Sequence, residues 1–239
     1  MNAFNFFDKI YYINLDNRED RNIHTMSELS FLENEKINRF SAIVYNGEVK
    51  KNKWHLYKNM NKYAGCSLSH YKIIEEAKKN HLSNVLVFED DISFITKSFL
   101  DLENAISELP RQWDLLYLGI GIDSPNYRVD YSKYSEHLVT IKNSTGAFAV
   151  CYNNNIFDYI LDKRNQDGYT VQECPADKLL AHDVQLRGNS FLVWYPIVST
   201  KIVGNSCICG NERIEGTDNW KGISNGYIFL DKILKGEIC

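Results

Sequence analysis

The chain has no long hydrophobic run. Its longest apolar stretches, such as Val85-Leu86-Val87-Phe88, fall far short of the ~20 residues that cross a bilayer, so no integral membrane segment is expected. It also lacks an excess of charge of one sign. Lys and Arg number 27 against 31 Asp and Glu, a net charge of −4, which argues against a nucleic-acid partner gripped by phosphate neutralisation. The first eight residues, MNAFNFFD, have no basic stretch, long apolar core or small-residue cleavage site. No secretory leader is therefore expected, and a cytoplasmic location is. With four prolines, 13 glycines and no Ser/Gly or Pro tract, nothing divides the chain, and residues 1–239 are expected to form one domain. Among the six cysteines there is no C-x-x-C pair, and only Cys207 and Cys209 lie close together. That spacing excludes a ribbon-type structural metal site and favours reduced thiols.

What remains is enough to build a core. Hydrophobic residues make up 44% of the 239, and a chain of this length buries roughly 70–75% of its unfolded surface without covalent staples. Strands are expected at Lys9–Leu15, Arg39–Val44, Asn84–Phe88, Trp113–Leu118, His137–Ile141, Gly146–Tyr152 and Phe191–Trp194, all rich in β-branched or aromatic residues. Apolar spacing predicts helices over Arg21–Leu32, Ser67–Leu82, Asn154–Lys163 and Ala176–Arg187. A further helix over Ser98–Leu109 would be capped by Ser98 and stopped by Pro110. The alternation points to an α/β fold with a mostly parallel central sheet flanked by helices.

Three segments could carry chemistry. Glu89-Asp90-Asp91 follows a strand that reads as buried on both faces, and ligands of open α/β sheets bind beyond the carboxyl ends of strands. Three adjacent anions need a counter-charge, and a hard dication such as Mn²⁺ or Mg²⁺ suits oxygen ligands; a solvated turn is the alternative. Asn14 to Arg21 (NLDNREDR) follows the first strand, and Arg18 or Arg21 could approach a phosphate, or join a surface ladder of ion pairs. Gly65-Cys66-Ser67-Leu68-Ser69-His70 reads as a helix start at which Gly65 permits close approach, Ser67 or Ser69 caps, and His70 meets a ligand or a structural partner.

In this order, YINLDNREDR (Tyr12 to Arg21), GCSLSHYKIIEEA (Gly65 to Ala77), VLVFEDD (Val85 to Asp91), WDLLYLG, TGAFAV and PADKLL resemble the family 25 glycosyltransferases, over about residues 8–200; residues 201–239 diverge. The resemblance implies a GT-A-like fold, a UDP-sugar donor, usually of galactose or glucose, a hydroxyl acceptor on a glycan or protein, and inversion at the anomeric carbon. It implies Asp91 as the main metal ligand, helped by Glu89, although the matching D-x-D position here holds Glu at 89. It places Asn14, Leu15, Arg18, Arg21, Gly65, Ser69, His70, Glu89 and Asp90 near the donor. Asp177 is then the candidate base and Asp183 its reserve. A catalytically degenerate sugar-nucleotide-binding or scaffold protein and a metal-dependent phosphoesterase are the rival readings.

Overall fold

Strand-forming residues that alternate between two apolar environments are what a sheet covered on both sides requires. In β1 (Lys9–Asn14), Tyr11 and Ile13 enter one core and Ile10 and Tyr12 the other; in β3 (Asn84–Glu89), Val85 and Val87 face the first core and Leu86 and Phe88 the second. The computed structural model describes residues 3–32, 34–50, 60–96, 98–120, 130–195 and 197–200. The divergent segment 201–239, with Cys207 and Cys209, lies outside the described residues.

The other elements are α1 (Glu19–Glu28), β2 (Ile37–Ser41), α2 (Met60–Lys79), β4 (Ile92–Phe94), α3 (Leu100–Glu108), β5 (Leu115–Gly119), β6 (Asp130–Lys133), β7 (Leu138–Lys142), β8 (Ala149–Asn153), α4 (Asn154–Lys163), α5 (Ala176–Leu179), β9 (Ser190–Val193) and β10 (Val198–Thr200). Eight strands form one sheet in the order β2-β1-β3-β8-β5-β9-β7-β6. Six run in the direction of β1; β8 and β7 run against them, so the sheet is mostly parallel in direction although it contains antiparallel ladders. Helices α2, α4 and α5 cover the Tyr11 face. The opposite core includes an aromatic group in which Phe4 meets Phe99 edge-on at 4.9 Å. This is the GT-A-like α/β plan expected, and no helix among the described residues is long and apolar enough to cross a membrane.

Several local expectations change. The spacing of Ile23 and Met26 suggests that they face the core, yet they are exposed, and α1 turns Arg21, Thr25 and the following Leu29 inward. A polar group lies beneath this helix, as described below, and it reverses the face. The segment Gly65 to His70 is not a helix start: α2 begins at Met60 and carries it in mid-helix. Ser98 does not cap α3, because its N–H is donated to Thr96 Oγ1 (3.0 Å) and Phe99 precedes the first turn. The region 176–187 is a short α-helix followed by a π-helical turn (Leu180–Val184) and a 3₁₀ turn (Gln185–Arg187), ended by Gly188 at φ +86°. Strand β6 and the two-stranded ribbon β4–β10 have no counterpart in the sequence reading.

Candidate active site

The parallel strands β2, β1 and β3 end together at Ser41, Asn14 and Glu89. Beyond those ends lies a cleft of about 500 Å³, walled by residues 42–46 and α2 and floored by Glu89, Asp90 and Asp91. The wall exists because α2 approaches the backbone closely. A Cβ on Gly65 would stand 2.3 Å from Ile43 O, and Ser69 Oγ accepts the Ile43 N–H at 2.9 Å. Gly65 and Ser69 therefore shape the cleft, and neither is among its lining residues.

The three carboxylates have different surroundings. Asp90 is buried, its Oδ1 2.6 Å from Arg21 Nη1, and its Oδ2 accepts from Asn14 Nδ2 at 2.8 Å. Thr25 Oγ1 lies 3.0 Å from the Asp90 carbonyl. This is the polar group beneath α1, and it explains why Arg21 and Thr25 face inward. Asn14 passes the connection on: its Oδ1 accepts from Arg39 Nη2 (2.9 Å), which also reaches Asp16 at 2.8 Å, while Ser41 donates to the other Asp16 oxygen at 2.7 Å. Arg39, Ser41 and Thr25 were not singled out from the sequence, and Asp16 was named only as part of the NLDNREDR segment.

Asp91 shares Arg21 at 3.3 Å. Among the described residues, Glu89 has no Lys or Arg ion pair. Burial, then the negative charges of Asp91, Asp90 and Asp177, push its carboxyl up to about 8. Facing it from α2 are Cys66, whose Sγ is 3.8 Å from Glu89 Oε1, and His70, whose Nε2 is 4.0 Å from the same oxygen. Burial pushes the His70 imidazole down to about 4, so it is neutral at physiological pH.

The remaining candidates separate. Leu15 and Arg18 line the cleft, with Arg18 clamped on Asp20 through two bonds of 2.9 and 2.7 Å; that pairing holds the Asp20 carboxyl down at about 2. Asp177 opens α5, whose first N–H (Ala176) is accepted by Ser67 Oγ at 2.8 Å, and Asp177 Oδ2 accepts the Gly146 N–H at 3.3 Å. Gly146 adopts φ +94°, a conformation glycine permits. Buried Gln185 fixes the adjoining loop, accepting from Ser144 N and donating to Ser144 O, both at 2.8 Å. Asp183 instead pairs with Lys163 at 3.0 Å and accepts from Tyr159. The structure thus brings Asn14, Arg21, Asp90 and Asp91 into one network, sets Glu89 beside it within electrostatic reach of Asp90, Asp91 and Asp177, and leaves Asp183 held by α4.

Fold and site together define an α/β protein with an acidic cleft at the carboxyl edge of its sheet. The chain belongs to glycosyltransferase family 25: the family model, described as glycosyltransferase family 25 (LPS biosynthesis protein), matches residues 7–191. Human procollagen galactosyltransferase 2 is 28% identical over 129 residues, 47% of this chain and 21% of that protein. Human inactive glycosyltransferase 25 family member 3 is 45% identical over 58 residues, 23% of this chain and 10% of that protein. These alignments thus span 21% and 10% of the relatives' lengths. Among solved structures, a glycosyltransferase involved in the glycosylation of the major capsid of PBCV-1 aligns with TM-score 0.39 and 12% identity, over 77% of this chain and 80% of that one.

Proposed function

We propose that this chain is a metal-dependent, inverting glycosyltransferase that moves a hexose, galactose or glucose, from a UDP-sugar to a hydroxyl of a glycan or protein. The observation that carries the reading is the charge imbalance at the cleft. Among the described residues, Glu89, Asp90, Asp91 and Asp177 act on one another strongly enough to raise Glu89 to about 8, while Arg21 pairs with Asp90 and Asp91 and Arg18 with Asp20. Hard carboxylate oxygens in surplus over protein cations suit Mn²⁺ or Mg²⁺. Asp91 would hold the metal, with Glu89 beside it. Asp90 is engaged with Arg21 and Asn14 and is assigned to holding the loop. The metal would supply Lewis-acid neutralisation of the departing diphosphate.

The chain's own residues supply the rest. Leu15 and Arg18 line the cleft that would receive the nucleotide, and Arg18, released from its pairing with Asp20, would meet phosphate oxygens. Asp177, held by the Gly146 N–H, would take the proton of the attacking hydroxyl as that oxygen bonds to the anomeric carbon.

A thermal-shift panel of UDP-sugars with and without Mn²⁺ tests the reading. One UDP-sugar should stabilise the chain only with metal, and Asp91→Ala should abolish that shift without unfolding the protein. Asp177→Asn should retain the shift and lose about 10²–10⁴ in transfer rate. A second reading, binding without turnover, is favoured by the inactive relative and by Arg21 lying against Asp91. It predicts the shift with no transfer in the wild type.

A further inference from the structure

We propose that Cys66, His70 and Glu89 form a site for a borderline-soft dication of the Zn²⁺ type, distinct in its sulfur and nitrogen ligands from the hard-oxygen site assigned to Asp91 but sharing Glu89 with it. Cys66 and His70 are four residues apart on α2, so their side chains leave the same face of the helix. Glu89, at the end of β3, meets them from the sheet. Among the described residues, one sulfur, one nitrogen and one oxygen from this trio all lie within 4.8 Å of one another. Ligand atoms of a tetrahedral zinc with bonds of 2.0–2.3 Å stand roughly 3.5 Å apart, so the 3.8 Å Cys66–Glu89 and 4.0 Å His70–Glu89 separations need to close by about half an ångström or less, and the Cys66–His70 pair, within 4.8 Å, by roughly 1.3 Å at most.

The second observation is the histidine itself. His70 is 1% exposed and its Nε2, 4.0 Å from Glu89 Oε1, has no hydrogen-bond partner among the described residues. A buried polar atom left so is costly unless something fills the gap. Its other nitrogen, Nδ1, is 3.0 Å from the buried Tyr152 hydroxyl. Metal-binding histidines are typically oriented in this way, one nitrogen fixed by a neighbour and the other free for the ion. Cys66 and Glu89 both line the cleft, so the fourth coordination position would open into it, the arrangement of a three-ligand zinc site with an exchangeable partner. On binding, the Cys66 thiol and the protonated Glu89 carboxyl each give their proton to solvent, and the thiolate, the carboxylate and the neutral His70 Nε2 take the metal. Neither nucleotide nor transfer activity enters this argument, so it stands or falls apart from the donor reading.

Co²⁺ titration of the full reduced chain tests it, in a Cys207→Ser/Cys209→Ser background that removes the neighbouring thiol pair. A thiolate-to-cobalt charge-transfer band should grow to one equivalent, Zn²⁺ should displace it, and Cys66→Ser should abolish it. His70→Gln should weaken binding by more than about a hundredfold, since even loss of an outer partner costs ~10–100-fold. In the unmutated chain, Zn²⁺ should protect Cys66 from alkylation as read by mass spectrometry, a measurement that needs no variant to fold. Absence of the band, its survival in Cys66→Ser, or equal alkylation of Cys66 with and without Zn²⁺ would overturn the proposal.

Discussion

Asp90 and Glu89 are neighbours in sequence with opposite circumstances. Asp90 is surrounded by donors, an arginine on one oxygen and an asparagine on the other, and it fastens α1 to the end of β1. Glu89, on the other side of the strand, faces a thiol, an unpartnered imidazole nitrogen and three other carboxylates. One acidic motif therefore contains a carboxylate whose charge is satisfied by the protein and another whose charge awaits a partner. The first explains how the loop holds its shape, the second where a ligand has something to gain.

The largest effect should come from breaking the satisfied side. Asp90→Asn removes the charge paired with the buried Arg21 guanidinium at 2.6 Å, and should cost about 3 kcal/mol in urea unfolding, the low end of the ~3–5 kcal/mol for stripping a buried ion of its partner. The unsatisfied side should respond in the other direction. The Glu89 carboxyl is raised to about 8 against an unfolded value near 4.5, so the folded chain keeps a proton that the unfolded chain releases between those two values. Its contribution to stability is complete below about pH 4.5 and is lost as pH rises through about 8. Glu89→Gln, which imitates the protonated form, should therefore be more stable than wild type at pH 8, and the two unfolding curves should converge below pH 4.5. A metal-free variant no more stable than wild type at pH 8 would remove the contrast. The smallest effect is expected at the wall behind them. Gly65→Ala forces α2 away from Ile43 O and should cost about 1–3 kcal/mol, read as a lowered melting temperature.

The sequence made this contrast only partly visible. The strands were legible because β1, β3, β5 and β8 are continuous apolar runs, and a run buried on both faces looks the same in sequence as in structure. Helix α1 was misread in its facing because hydrophobic periodicity assumes an apolar interior, and here the interior holds Asp90. Glu89, Asp90 and Asp91 were legible as a cluster but not in their separate roles. Their partners come from Asn14 and Arg21, 69 to 76 residues away in sequence, and from Cys66 and His70 on a helix whose start lies earlier than the spacing indicates. Asp183 illustrates the same limit: proximity in sequence to Asp177 says nothing about Lys163, which holds it.

The ribbon β4–β10 has a consequence for where this molecule can be cut. The family match stops at residue 191, yet Val198, Ser199 and Thr200 pair with Phe94, Ser93 and Ile92, immediately after the acidic loop, and a side chain on Gly119 would strike Val198 O at 2.0 Å. A fragment trimmed to the family boundary would keep the motif residues and lose the strand that braces them from behind. The recognisable block and the working unit thus have different edges, and shortened versions of this chain need to run past Thr200 to keep the acidic loop braced.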